Sequence, residues 1–270
     1  DTATTEIYTL SLHDALPISQ AYFSATIRLM IPTKKHLERY HNYLINLPIF
    51  NNLNKEDLKP LFDTLQVRQF HKSEVVAFNS KEHSNLYINF DGLFKLTKID
   101  ERGDEIVLKI VDRKGMVSPM HFSPHYNVAA DFVKNTTLFY FPQEAVAKAM
   151  ALHHQFSLNI VQFLAESVQS LMLSAEVLQL KTAKEKVGWY LVHSKINATF
   201  TLPYSKSLTA SYLGMQPESF SRALSELRKD GVILDNKKIR LDNGDELCTY
   251  CDPVTGSDCA FFKTPDCIHD

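Results

Sequence analysis

Few folds are open to a chain that carries LPYSKSLTASYLGMQPESFSRALSELRKDGVILDNKKIRLDN at residues 202–243. Ala210 and Gly214 stand four apart: a small side chain where two helices can approach, then a residue suited to the tight turn between them. Leu208, Leu213, Met215, Phe220 and Leu224 supply the apolar core that such a pair shares. Pro217 fits the first turn of the second helix, where its missing N–H costs nothing, and Gly231 suits its end. VILDNKKIRL, residues 232–241, then reads as a small hairpin. The segment predicts a winged helix-turn-helix.

In that frame Glu218, Ser221 and Arg222 fall on the outer face of the second helix near its N-terminus, the place where a recognition helix meets base edges. Arginine donates two bonds to guanine O6 and N7, glutamate accepts from cytosine N4, and serine serves either role. Residues 181–241 hold eleven Lys or Arg against five Asp or Glu; the chain totals of 29 and 31 leave 18 against 26 for the remainder. A basic segment on an acidic body suits an anionic partner, although a solvated lysine-rich surface has the same composition. If DNA is the partner, Lys206, Lys237 and Lys238 are candidate phosphate contacts.

Two other regions precede this one. From about Val67 to Phe141, short apolar stretches (VRQF, EVVAF, NLYINF, LFKLTKI, EIVLKIV, TTLFYF) are broken by Asp91-Gly92, Arg102-Gly103-Asp104 and Lys114-Gly115. Alternation with turn signals at this spacing predicts an antiparallel β sandwich or roll. Ahead of it, Asn54 caps a short helix with Leu58, Leu61, Phe62 and Leu65 on one face. From Phe156 to Trp189 runs one uninterrupted helical pattern, in which Val161, Leu164, Val168, Leu171, Ala175, Leu178 and Thr182 step by three and four. That is the seam of a coiled coil, and it predicts a homodimer. A second stripe, Phe163, Ser170, Val177 and Leu180, is expected to pack on the β domain; a single buried core helix would also be apolar on two sides.

The front of the chain stands apart. HDALPI, residues 13–18, is the translation of CAC GAC GCT CTT CCG ATC, the end of a widely used sequencing adapter, and the upstream frame gives DTATTEIYTLSL. Residues 1–18 therefore read as translated adapter, residues 1–29 as an artefact or non-native leader, and Met30 as a natural start. Hydrophobic and charged contents of 44% and 22% are ordinary for a globular protein. No apolar run approaches the roughly 18 residues of a membrane span, so a cytoplasmic protein without a membrane partner is expected.

A β-roll, a long dimer helix and a winged helix-turn-helix, in that order, resemble the family of the cyclic-AMP receptor protein and FNR. The likeness covers about residues 45–245. It implies an α+β chain with a cyclic-nucleotide-binding-like β-roll at 30–150, a dimerisation helix at 151–183, a winged helix-turn-helix DNA-binding domain at 184–245 and a Cys-rich tail at 246–270. Glu218, Ser221 and Arg222 are similar to the FNR-type reading triplet, which implies a homodimeric transcription regulator on an inverted repeat of TTGA-containing half-sites, with RNA polymerase as partner. GMQPESFSRAL and YNVAADFV resemble the dissimilatory nitrate respiration regulators, a branch associated with nitric oxide and haem. In place of the family's nucleotide ligands the chain reads KGMVSPMHFSPHYNVAADF, residues 114–132, with no arginine and no Glu after the glycine. A cyclic phosphate would enter without a charge partner, so cyclic AMP is not the expected ligand.

All four cysteines, Cys248, Cys251, Cys259 and Cys267, lie in the last 23 residues. Four clustered thiols in a reducing compartment are the donor set of an iron–sulfur cluster or a structural zinc, and a merely thiol-bearing tail is the third reading. FNR itself carries its cluster on other cysteines, which this chain lacks; some regulators of the family place one at the C-terminus. His121 and His125, and His153 and His154, are candidate haem ligands, or ordinary surface histidines. Two functions of other classes compete with a redox- or gas-gated regulator that senses nitric oxide or oxygen. One is a thiol-based redox enzyme using the tail, which leaves the basic helices unexplained. The other is a nucleotide-binding module that does not bind DNA, which the missing phosphate ligands oppose.

Overall fold

The structure, a computed structural model, describes residues 29–30, 34–77, 85–117, 128–180, 182–193, 199–231, 233–235, 238–240 and 245–251. Residues 1–28 and 252–270, among them the adapter-like stretch and Cys259 and Cys267, lie outside the described residues.

Two antiparallel sheets form the roll. One has five strands in the order β1 (Leu29–Met30), β2 (Gln66–Phe70), β9 (Thr136–Pro142), β4 (Asn85–Asp91), β7 (Met116–Val117). The other has four, β3 (Val75–Ala77), β8 (Ala129–Phe132), β5 (Phe94–Ile99), β6 (Glu105–Val111). Between the sheets lies an aromatic-rich core, with Phe70 stacked on Phe132 at 4.1 Å and Tyr87 against Tyr140 at 5.6 Å. The period of two in β9 sends Leu138 and Tyr140 into that core and Phe139 and Phe141 to the opposite face. There the helices α1 (Lys34–Leu44), α2 (Lys55–Phe62) and α3 (Gln143–Leu152) cover the five-stranded sheet through Leu44, Leu58, Leu61, Phe62 and Val146. Asn54 caps α2 as its sequence implies, accepting from the Asp57 N–H at 2.7 Å.

Each strand expected from the apolar stretches is present, and β1, β7 and β8 were not foreseen. The two-residue β1 and β7 are too short to show alternation, and β8 lies in AADF, whose alanines carry little apolar signal. Gly92, between β4 and β5, has φ of +104°, and a Cβ there would stand 2.4 Å from the Asn135 carbonyl oxygen. Only glycine fits that approach.

The long helix differs from expectation. It is α4 (His154–Leu180), and a separate α5 (Ala183–His193) follows it. Thr182, read as the last seam position, instead starts α5. Its N–H donates to Glu185 Oε2 at 2.7 Å while the Glu185 N–H donates to Thr182 Oγ1 at 3.3 Å. This reciprocal capping satisfies two donors that a helix start leaves bare, so the chain turns where the apolar period runs on. The second stripe also divides: Phe163 packs on the roll core, whereas Val177 is buried in the core of the following unit and Ser170 is exposed.

Candidate nucleic-acid interface

The following unit is built on α5, α6 (Lys206–Tyr212) and α7 (Pro217–Lys229). Ser205 caps α6, accepting from the Leu208 N–H at 3.2 Å. Gly214 takes φ of +61°, and the Met215 N–H closes the turn onto the Ala210 carbonyl at 3.0 Å. Ala210 is fully buried, as close helix approach requires. Phe220, Ala223, Leu224 and Leu227 lock the inner face of α7 against Val187, Leu191 and Leu213. Asp230 caps the C-terminal end and Gly231, at φ of +108°, stops the helix. Beyond it β11 (Ile233–Asp235) and β12 (Lys238–Arg240) pair as the expected hairpin, and β10 (Thr199–Thr201) adds a third strand on β12.

With its inner face fixed, α7 turns Glu218, Ser221 and Arg222 to solvent. Their offsets of three and four put them on one side of the helix. Arg222 Nη2 donates to Ser219 Oγ at 3.3 Å, which steadies the guanidinium along the helix surface. Lys206 is exposed at the start of α6. Lys237 lies outside the described residues, and Lys238 is placed on β12 without a described side chain.

Along α4 the seam is bare. Val161, Val168 and Leu171 are 58%, 54% and 63% exposed, Ala175 is exposed and Leu164 is half-buried. The single buried helix is thereby excluded for this segment of the chain. Leu178 has a second duty: with Val177, Leu108, Trp189, Tyr212 and Leu213 it lines a cleft where β6, α4, α5 and α6 meet. Leu158 and Met172, which the three-four spacing omits, are exposed as well.

The two units also touch through a contact that no sequence period announces. Helix α6 packs on β6, and Tyr204 Oη donates to Asp112 Oδ2 at 3.4 Å. Burial and the neighbouring carboxylate push the Tyr204 hydroxyl well above the usual tyrosine range, so it keeps the proton it donates. Within the roll, burial works to lower the Lys95 pKa, but hydrogen bonds to Glu105 and Asp131 outweigh it and the net shift is upward.

Cys248 lies in a 3₁₀ helix, Asp245–Tyr250, and Cys251 directly follows it. The Cys251 N–H donates to the Cys248 carbonyl at 3.0 Å, a backbone bond that holds the two residues one turn apart. Both are half-buried. This half of the thiol set suits a thiophilic metal. Of the histidines, His121 and His125 lie outside the described residues, His153 ends α3 half-buried, and His154 opens α4 exposed.

Residues 177–250 match the Crp-like helix-turn-helix domain family. The chain is 22% identical over 213 residues to the transcriptional activator protein FnrA of Stutzerimonas stutzeri, covering 73% of this chain and 85% of that one. It is 21% identical to the transcriptional activator protein anr of Pseudomonas aeruginosa, with the same coverage. Among solved structures, FixK2 from Bradyrhizobium japonicum superposes with a TM-score of 0.60 at 20% identity, over 70% of this chain and 98% of that one. The fold is the Crp-like one, and FnrA and anr are transcriptional activator proteins.

Proposed function

We infer that this chain is a DNA-binding transcription regulator of the Crp/Fnr type, and propose that it acts in the cytoplasm as a homodimer on a TTGA-containing inverted repeat. The observation that carries the reading is α7 itself: its apolar face is locked into a core while Glu218, Ser221 and Arg222 face outward together. Arg222 bonds guanine O6 and N7, Glu218 accepts from cytosine N4, and Ser221 serves either role. Lys206, Lys237 and Lys238 hold phosphates and fix register. A second copy joined along Val161, Leu164, Val168, Leu171, Ala175 and Leu178 supplies the other recognition helix, matching the two-fold symmetry of an inverted repeat. RNA polymerase is the partner that reads the bound dimer.

The gating signal in this reading is redox state or a gas, nitric oxide or oxygen. Cys248, Cys251, Cys259 and Cys267 would hold a zinc ion or an iron–sulfur cluster, which supplies redox or ligand sensitivity when bound. A haem on His121, His125, His153 or His154 is the other candidate sensor, and the absorption spectrum of purified protein separates them. A Soret band marks haem, and a broad visible band that bleaches in air marks iron–sulfur. Replacing Cys248 and Cys251 together by Ser should abolish bound metal in elemental analysis.

The test of the reading as a whole is stoichiometry. Sedimentation of the protein with an excess of inverted-repeat duplex should give two chains per duplex. One chain per duplex would refute the dimer on its repeat.

A further inference from the structure

The Cys248–Cys251 turn is pinned to the DNA-binding unit at three points. Leu247 is buried in the same core as Phe220, Leu224 and Leu227 of α7. Tyr250 lies flat on Gly188 of α5, so close that a Cβ on that glycine would stand 2.5 Å from its nearest ring carbon. The Lys184 ammonium, one turn earlier on α5, stands beside the Tyr250 hydroxyl and lies 2.6 Å from the carboxylate of Asp230. Asp230 is the residue that caps the C-terminal end of α7. A continuous line of contacts therefore runs from the two thiols through one ring to the last turn of the helix that presents Arg222.

We propose that metal held by Cys248 and Cys251 strengthens DNA binding by clamping Tyr250 onto Gly188 and Lys184, and so fixing the angle between α5 and α7. The inference rests on the reading of the tail as a thiolate metal site. A metal bound to both ends of the turn stiffens it, and with it Tyr250, one of the two residues between the cysteines. Gly188 makes the seat specific, since any side chain there would displace the ring. The signal enters the DNA-binding unit from its own C-terminus, and no change in the β-roll is required. This is a coupling between two sites through packed side chains, and it acts in both directions: bound DNA should tighten the metal.

The chain contains its own reporter, since Trp189 is its sole tryptophan and lies next to Gly188 in the buried core. The experiment titrates Zn²⁺, which does not quench by energy transfer, into reduced, metal-free full-length protein. It reads Trp189 emission and the Kd for an inverted-repeat duplex, and Co²⁺ absorption in a parallel sample reports the thiolate ligands. Zinc should shift Trp189 emission and tighten the duplex by at least about fivefold, the lower end of ordinary coupling between sites. Tyr250→Ala should bind Co²⁺ with the same thiolate spectrum, while its emission and duplex affinity no longer respond to zinc. Tyr250→Phe keeps the ring on Gly188 and loses only the hydroxyl beside Lys184, so it should retain the emission shift and lose part of the gain in affinity. A Tyr250→Ala protein that responds to zinc as the parent does would overturn the clamp. So would a parent whose thiolates bind metal without moving Trp189 or the duplex Kd. Absence of a Co²⁺–thiolate band in the parent would instead remove the metal site, and the clamp with it.

Discussion

Helices α4 and α7 each keep one face against the rest of the chain and leave the other bare, but the bare faces are of opposite kinds. On α4 the exposed line is Val161, Val168, Leu171 and Met172, apolar surface that water disfavours. On α7 it is Glu218, Ser221 and Arg222, groups that lose nothing by staying in water and gain only from a partner with matching donors and acceptors. The apolar face asks for any complementary apolar surface, and an identical copy with the same spacing provides one. The polar face asks for a particular pattern. In the proposed function, affinity for a second subunit and selectivity for a sequence fall to different helices, so each should be removable without the other.

The largest effect should come from the apolar face. Leu171→Glu sets two carboxylates opposite each other in the seam, where an unpaired buried charge costs about 3 kcal/mol or more. The variant should sediment as a monomer at micromolar concentration and lose specific DNA binding, with α7 intact; a stable dimer would show that the seam lies elsewhere. Arg222→Ala should do the reverse. It should remain a dimer, lose roughly 1 to 3 kcal/mol on its specific duplex and tolerate other bases at that one position. Lys206→Ala sharpens the contrast within the DNA-binding unit. It should weaken all sequences alike, and in a salt titration make the slope shallower by about one unit.

The smallest effect concerns His41 in the roll, away from both faces. Its Nε2 is buried without a partner and its ring packs on Phe62 at 5.0 Å. Burial lowers its pKa and Asp63 only partly opposes that, so the unfolded chain takes up the proton first. The contribution of His41 to stability is therefore present above the unfolded value of about 6.5 and declines as pH falls below it. A His41→Gln protein should lose less melting temperature than the parent over that acid range. An equal loss in both would mean that His41 is as well solvated folded as unfolded.

Much of the α7 unit was legible in the sequence because its determinants are local. Ala210, Gly214, Pro217 and Gly231 each act within one turn of their own position, and all four do in the structure what their chemistry implies. The roll was legible as strands but not as pairings, since β8 joins β5 to β3 across long stretches of chain and its own Ala129 and Ala130 carry little apolar signal. The break between α4 and α5 had a signal, Thr182 followed three residues later by Glu185, and the apolar period running through it hid the cap. The contacts Tyr204 to Asp112 and Tyr250 to Gly188 had none, because each depends on how separate elements meet rather than on either segment alone. Of the candidate site, the outward position of Glu218, Ser221 and Arg222 on α7 could be named residue by residue. The tail could be named only as a set of thiols.

The central claim is that the outward face of α7 reads a guanine-containing half-site. It is tested most directly by a competition gel shift at fixed salt with the unmutated protein in its active state. The assay compares a TTGAT-N4-ATCAA duplex with one in which the guanine of each half-site is replaced. The account predicts that the first competes far better, each replaced base pair costing roughly 1 to 3 kcal/mol. Equal competition by the two duplexes would contradict it, leaving α7 as a helix that binds DNA without reading this sequence.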